Sequence, residues 1–255
     1  MSTFNFKHFS VTNEKSAMKV NTDGVLLGAA MTILPSDRTF LDIGTGTGTV
    51  ALMAAQRISA LRTGADHGEG TNYESGEKVN IQAVEIDKDS AEEAEMNFRS
   101  SPWPGILHVI NCPFDIYAAE HDISFDLIFS NPPYFDLSLL APSERRCNAR
   151  HTCSGLSFRE ILEFASTHLS ANGRVSIVLP ADQEKHLCRH ARMCGLFLSK
   201  ILRIRTVPRK APGRIVAEFV KYRPDSADEA LLTIQDEGKY TQEYLSLTRD
   251  FYLFA

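Results

Sequence analysis

Cysteine is too sparse and too scattered to build this protein's framework. Cys112, Cys147, Cys153, Cys188 and Cys194 form an odd set without a Cys-x-x-Cys pair, which excludes a disulfide scaffold and a zinc ribbon and leaves reduced thiols as the expected state. Neither Cys147, His151 and Cys153 nor His186, Cys188, His190 and Cys194 follows a zinc-ligand spacing, so no metal is expected. Long apolar runs are missing too. The longest, residues 24–34, falls short of the roughly 20 residues a bilayer-spanning helix needs, and no membrane association is expected. The opening MSTFNFKHFS has no basic start followed by an apolar stretch and a small-residue cleavage site; a cytoplasmic location is the expectation. There is no internal repeat and no low-complexity tract. With 43% hydrophobic and 23% charged residues among 255, the chain has material for a sizeable core and global disorder is excluded. One domain over residues 1–255, working as a monomer, is expected.

An overall excess of positive charge is also lacking. The net charge of -5 would argue against a nucleic-acid partner if it were spread evenly, but residues 145–223 hold 16 Lys and Arg against 5 Asp and Glu, leaving 11 against 27 elsewhere. Such polarity suits either a solvated surface or a face that tracks phosphates.

Thr39 to Ile43 reads as a strand, followed by glycines and by an apolar stretch at helical spacing through Val50, Ala51, Ala54 and Ala55. Residues 62–78, with four glycines and six charges, read as a flexible insertion. Further strands are expected at Val79–Ile86, Ile106–Ile110, Phe125–Ser130 and Arg174–Pro180, and helices at Asp89–Ser100, Phe158–Leu169 and Asp182–Cys194. This alternation predicts an α/β, doubly wound (Rossmann-like), mostly parallel sheet with helices on both faces. Ile201–Val207 and Ile215–Tyr222 predict an antiparallel C-terminal edge pair, part of a basic hairpin over residues 200–223. The aromatic-rich end, YTQEYLSLTRDFYLFA, predicts a closing helix.

Asp42-Ile-Gly44-Thr-Gly46-Thr-Gly48 lies at the end of the first strand, where doubly wound sheets bind ligands. Thr49 stands where the dinucleotide fingerprint needs a small residue, so a nucleoside is a better fit than a pyrophosphate. A ribose-binding acid is expected about 20 residues further on. Glu85 lies 37 residues past Gly48, or 20 once the 17-residue insertion is set aside. Asp87 and Asp89 read instead as an N-cap and a first-turn acid. Asp115 could accept from an adenine amino group.

Asn131-Pro132-Pro133-Tyr134 follows the fourth strand and is the most specific signal in the chain. Two prolines hold the backbone extended. The Asn131 side-chain oxygen and the Pro132 carbonyl could each accept one hydrogen of a planar exocyclic amine, and Tyr134 offers a face on which a base can stack. By DIGTGTG, the VEID acid and NPPY, the sequence resembles the class I S-adenosylmethionine-dependent amino-methyltransferases over residues 40–180. By FKHFSVTNEKSAMKVNTDGVLLGAA, SPW, FSNPPYF, the Arg145 to Arg150 cluster and DFYLF, it is similar to the tRNA1(Val) adenine N6-methyltransferase family, which modifies the purine immediately 3′ of the anticodon. The long insertion and CNARHTC depart from simpler members.

The resemblance implies that Lys19, Thr22 and Asp23 belong to a segment, residues 1–38, that closes over the cofactor. It implies that Gly44 and Gly46 approach the methionine part, that Glu85 holds the ribose and Asp115 the adenine, and that Asn131 and Tyr134 hold the target base; Asp42 and Gly48 complete the cofactor set. The expected reaction is in-line transfer to adenine N6, dominated by positioning. Arg145, Arg146, Arg150, Arg203, Arg205, Arg209, Lys210 and Arg214 are the candidate RNA contacts and favour a tRNA over a protein loop. Methylation of a glutamine amide, methylation of guanine N2 and a catalytically silent RNA-binding module are the alternatives. A nicotinamide oxidoreductase is disfavoured by Thr49 and NPPY.

Overall fold

A computed structural model describes residues 3–16, 19–63, 78–133 and 156–255. In chain order a hairpin of β1 (Thr3–Asn5) and β2 (Ser10–Thr12) leads to α1 (Thr22–Ala30), β3 (Thr39–Ile43), α2 (Thr49–Thr63), β4 (Asn80–Glu85), α3 (Lys88–Arg99), β5 (Leu107–Asn111), α4 (Phe114–Glu120) and β6 (Phe125–Ser130). There follow α5 (Phe158–His168), β7 (Leu169–Pro180), a 3-10 turn at Ala181–Gln183, α6 (Glu184–Met193), β8 (Phe197–Arg205), β9 (Arg214–Val220) and β10 (Asp228–Thr233). The small pair β11 (Gln235–Asp236) and β12 (Lys239–Tyr240) precedes α7 (Gln242–Thr248).

The local chemistry explains most boundaries. Asn21 caps α1 by accepting from the Gly24 N–H at 2.8 Å, and Asp87 caps α3 through the Ser90 N–H at 2.8 Å, with Asp89 in the first turn as expected. Ser157 and Glu160 form a reciprocal capping box on α5. Arg62 and Thr63, expected in the insertion, instead end α2, and residues 64–77 of it lie outside the described residues.

Eight strands form one sheet in the order β10-β8-β9-β7-β6-β3-β4-β5. β3 to β7 run parallel; β9 is antiparallel to both β7 and β8. The expected antiparallel pair is therefore present, and β10 adds a further strand, parallel to β8, outside it. Sequence patterning missed β10 because only Leu232 of its six residues is buried, so no two-residue apolar alternation marks it. β7 also starts earlier than expected, at Leu169, through a segment, Ser-Ala-Asn-Gly, that has turn composition.

Alternate strand residues feed two cores, one on each face. Phe40, Leu127, Phe129 and Val178 pack with α1, α2 and α3, while Leu41, Ile128, Ile177 and Leu179 pack with α4, α5 and α6. The chain passes from β3 outward through β4 to β5, then returns so that β6 pairs with β3 on its other side. That reversal is a topological switch point, and the crevice above it, at the carboxyl ends of β3 and β6, is where such sheets take ligands. The ends of the chain meet: the Lys7 N–H donates to the Phe251 carbonyl at 2.8 Å, and Tyr244, Phe251 and Tyr252 are buried around α7.

Candidate active site

The glycine loop and the Asn-Pro-Pro turn leave neighbouring strands. Ser130 is fully buried, and its Oγ donates to the Ile43 carbonyl at 2.6 Å, tying the end of β6 to the start of the loop. Gly44, Gly46 and Gly48 all have positive φ, at 72°, 57° and 83°, a region that L side chains enter only at a cost. They do different work. A methyl on Gly48 would meet the Phe98 ring at 2.4 Å, so its bareness seats the loop against α3. Among the described residues, a methyl on Gly46 would meet no atom within 4 Å and one on Gly44 only Leu156, at 3.3 Å; at Gly46 the missing side chain leaves open room over the loop.

Two buried carboxylates hold the loop from beneath its backbone. Glu85 at the tip of β4 is buried, and its Oε2 accepts from the Gly46 N–H at 2.7 Å while Oε1 accepts from the Asp87 N–H at 2.9 Å. Asn111 holds the Glu85 backbone through its carbonyl at 2.8 Å. Asp42 accepts from Thr45 Oγ1 at 2.7 Å. Burial pushes the Asp42 carboxyl up to about 7; the nearby Glu85 charge adds to this, and the hydrogen bonds from Thr45 and the Ala51 amide oppose it.

Asn131 is half-buried and Pro132 buried. A methyl on Gly24 would lie 3.9 Å from Asn131 Nδ2 and 3.5 Å from Val50, so the first turn of α1 sits between the glycine-loop helix and the Asn-Pro-Pro turn. Thr22 and Asp23 are in that turn. Lys19 points back along its own segment, donating to the Asn13 and Glu14 carbonyls. Asp115 is exposed in the first turn of α4. Tyr134, Arg145, Arg146 and Arg150 lie outside the described residues.

The remaining candidate RNA contacts divide sharply. Arg214 donates to Asp23 at 2.8 Å, joining the start of β9 to the start of α1. Arg203 is held by Glu184 at 2.6 and 2.9 Å and by Glu229 at 2.8 Å, and Arg205 donates to Thr233 at 2.8 Å. Arg209 and Lys210, in the turn between β8 and β9, are exposed. Part of the charge bias is internal as well: Arg174 is buried against Asp37, and Lys200 donates to the Ala30 carbonyl.

Sequence reasoning missed a clasp on α3. Glu93, buried, accepts from the backbone N–H groups of Glu14, Lys15 and Ser16 at 2.6, 2.7 and 3.0 Å. One turn on, Asn97 accepts from the Thr12 N–H at 2.9 Å and donates to the carbonyls of Thr12 and Thr47, at 3.0 and 2.9 Å. The N-terminal segment and the glycine loop are thus pinned to one helix. The only signal in the sequence is a carboxylate and an amide four residues apart on the inner face of α3, a spacing that places them together but names no partner.

Strand order, glycine loop and acid at the tip of β4 make this a class I methyltransferase fold. In keeping with that, a solved structure from Agrobacterium tumefaciens, described as a predicted O-methyltransferase, superposes with a TM-score of 0.61 at 17% identity, over 90% of this chain and 96% of that one. Sequence relatives go further. The tRNA1(Val) (adenine(37)-N6)-methyltransferase of Bacteroides fragilis is 40% identical over 251 residues, 98% of this chain and 97% of its own length. The enzyme of that name from Flavobacterium psychrophilum is 37% identical over 98% of this chain and 99% of its own length. The chain belongs to the tRNA1(Val) (adenine(37)-N6)-methyltransferase family. No family model matches it.

Proposed function

We propose that this protein transfers the methyl group of S-adenosylmethionine to the exocyclic N6 of an adenine in tRNA, at position 37 of tRNA1(Val) as in the names of its relatives. The observation that carries the reading is the placement of Asn131 and Pro132 at the switch point, beside the glycine loop and under the first turn of α1. The residues suit the cofactor: Gly46 leaves a bare cradle, and the Glu85 carboxylate beneath it has the acceptor capacity a ribose diol requires. Gly44 and Gly46 would approach the methionine part, Glu85 would hold the ribose and Asp115 the adenine.

When bound, S-adenosylmethionine supplies a methyl group already activated by its sulfonium. The chain's own task is alignment and exclusion of water. The Asn131 side-chain oxygen and the Pro132 carbonyl accept the two hydrogens of the adenine amine and turn the nitrogen lone pair toward the methyl carbon. Tyr134, next but one along the chain from Pro132, is assigned the face on which the base stacks. The whole chain works as one domain in the cytoplasm, residues 1–38 closing over the cofactor, residues 62–78 forming an insertion and residues 200–223 a basic hairpin. Among the described residues no helix is long and apolar enough to cross a membrane.

The test is transfer of labelled methyl from S-adenosylmethionine to unmodified tRNA, with nucleoside analysis. N6-methyladenosine is expected from the wild type, and Asn131→Ala is expected to lose about 100-fold or more in kcat while still binding the cofactor. Label appearing in protein and not in nucleosides would overturn the assignment.

A further inference from the structure

Among the described residues, Arg209 and Lys210 are the only cations of the sequence-chosen set that are exposed, and a second set of exposed cations lies elsewhere. Arg203, Arg205 and Arg214 are each committed to a neighbouring side chain. On α6, by contrast, Lys185, Arg189 and Arg192 are exposed, and none of them makes a hydrogen bond or ion pair with a described residue. Their spacing of four and three residues puts all three on one face of the helix, opposite Leu187 and Ala191, which are buried in the core. With Cys188 and Met193 they line one shallow open groove along the helix. Glu184, the acid within α6, is neutralised by Arg203, and Asp182 stands in the turn before it.

The position of this stripe matters as much as its charge. α6 begins just after Pro180, at the carboxyl end of β7, where Pro180 pairs with Arg214 and Arg214 reaches Asp23 beside the site. From there it runs toward the opposite end of the sheet, where β8 begins. Lys185 to Arg192 spans about 10 Å of helix axis, a row of cations leading away from the rim of the site.

We infer that the Lys185–Arg189–Arg192 face of α6 is a docking surface for the phosphate backbone of the RNA, engaging the strand that flanks the methylated nucleotide. This rests on the RNA reading proposed above. Long, unpaired cations at helical spacing give sequence-independent, salt-sensitive attraction to a polyanion and no base readout. The surface therefore sets how tightly tRNA is held, whereas Asn131 and Pro132 set which atom is methylated.

The experiment compares the wild type with K185Q/R189Q/R192Q and with the charge-preserving K185R/R189K/R192K. Affinity for an unmodified tRNA transcript is measured at several KCl concentrations, together with steady-state methylation. The neutralised variant is expected to raise KM for tRNA about tenfold and to flatten the slope of log Kd against log salt by about 2 to 3, with kcat at saturating tRNA and cofactor affinity retained. The charge-preserving variant is expected to keep the wild-type slope. A wild type that methylates tRNA while the neutralised variant matches it in KM and slope would overturn the docking surface alone. Loss of affinity in both variants alike would overturn it too, by showing that shape and not charge is at work. A wild type that neither binds nor methylates tRNA would overturn the RNA reading with it and leave the stripe to an acidic protein partner.

Discussion

Replacing Glu93 by Ala tests how the N-terminal segment is held. Its carboxylate accepts three backbone N–H groups, from Glu14, Lys15 and Ser16. Hydrogen bonds to a charged group contribute about 1.5–3 kcal/mol each, so the ceiling for all three is about 5–9 kcal/mol. The ceiling is not reached, because Glu14 and Lys15 are exposed and water can take over their amides; Ser16 is buried and its N–H would be stranded. One stranded donor costs about 1–3 kcal/mol, and the two rehydrated bonds add a little, for about 2–4 kcal/mol altogether. The loss falls on the segment and not on the sheet, since Glu93 grips only chain that lies outside the β3–β7 core. Hydrogen exchange at residues 14–16 should therefore accelerate about 30- to 700-fold at 1.4 kcal/mol per decade, with amides in β3 and β6 unaffected. Cofactor affinity should fall with it if this segment closes the site. Glu93→Gln should fall between, because an amide N–H would face the Ser16 N–H. Unchanged exchange at 14–16, or equal loss throughout β3 and β6, would refute the reasoning.

Two further outcomes follow from the loop. Gly46→Ala should cost only the left-handed backbone strain, about 1–2 kcal/mol, yet weaken cofactor binding more than tenfold by filling the cradle. Gly48→Ala should add collision with Phe98, for a total of about 3–5 kcal/mol; thermal melting and cofactor titration separate the two, and equal stability losses would refute the division of labour. For Asp42 the folded carboxyl is raised to about 7, well above the ordinary aspartate value of 3.8, so the native state binds the proton more tightly than the unfolded chain. Its contribution to stability is complete below pH 4 and is lost as pH rises through 7. Melting temperatures from pH 4 to 8 should show the wild type losing stability relative to Asp42→Asn across that window, and parallel profiles would rule it out.

Much of the frame was legible because its signals are local. Strand, glycine turn and helix follow one another from Thr39 to Thr63, and β6 begins and ends where its pattern does, at Phe125 and Ser130. Asp87 and Asp89 took the capping and first-turn places their chemistry favours. β10 was not legible, being an edge strand with little to bury.

The sequence by itself determined which groups are available: three glycines able to turn left, a carboxylate at the end of β4, and an Asn-Pro-Pro turn able to accept from an amine. These properties reside in residue type and in spacing over a few positions, and they survive any arrangement of the rest. Tertiary structure alone decided who meets whom. The reversal of strand order set Asn131 next to the glycine loop, Glu93 and Asn97 found backbone nearly 80 residues and more away, and Arg214 was drawn to Asp23 across 191 residues. A cation's charge is written in its side chain, but whether that charge is free for a ligand depends on the acids that folding brings beside it. That is why Arg203 is committed within the fold while Lys185, Arg189 and Arg192 pair with no described residue.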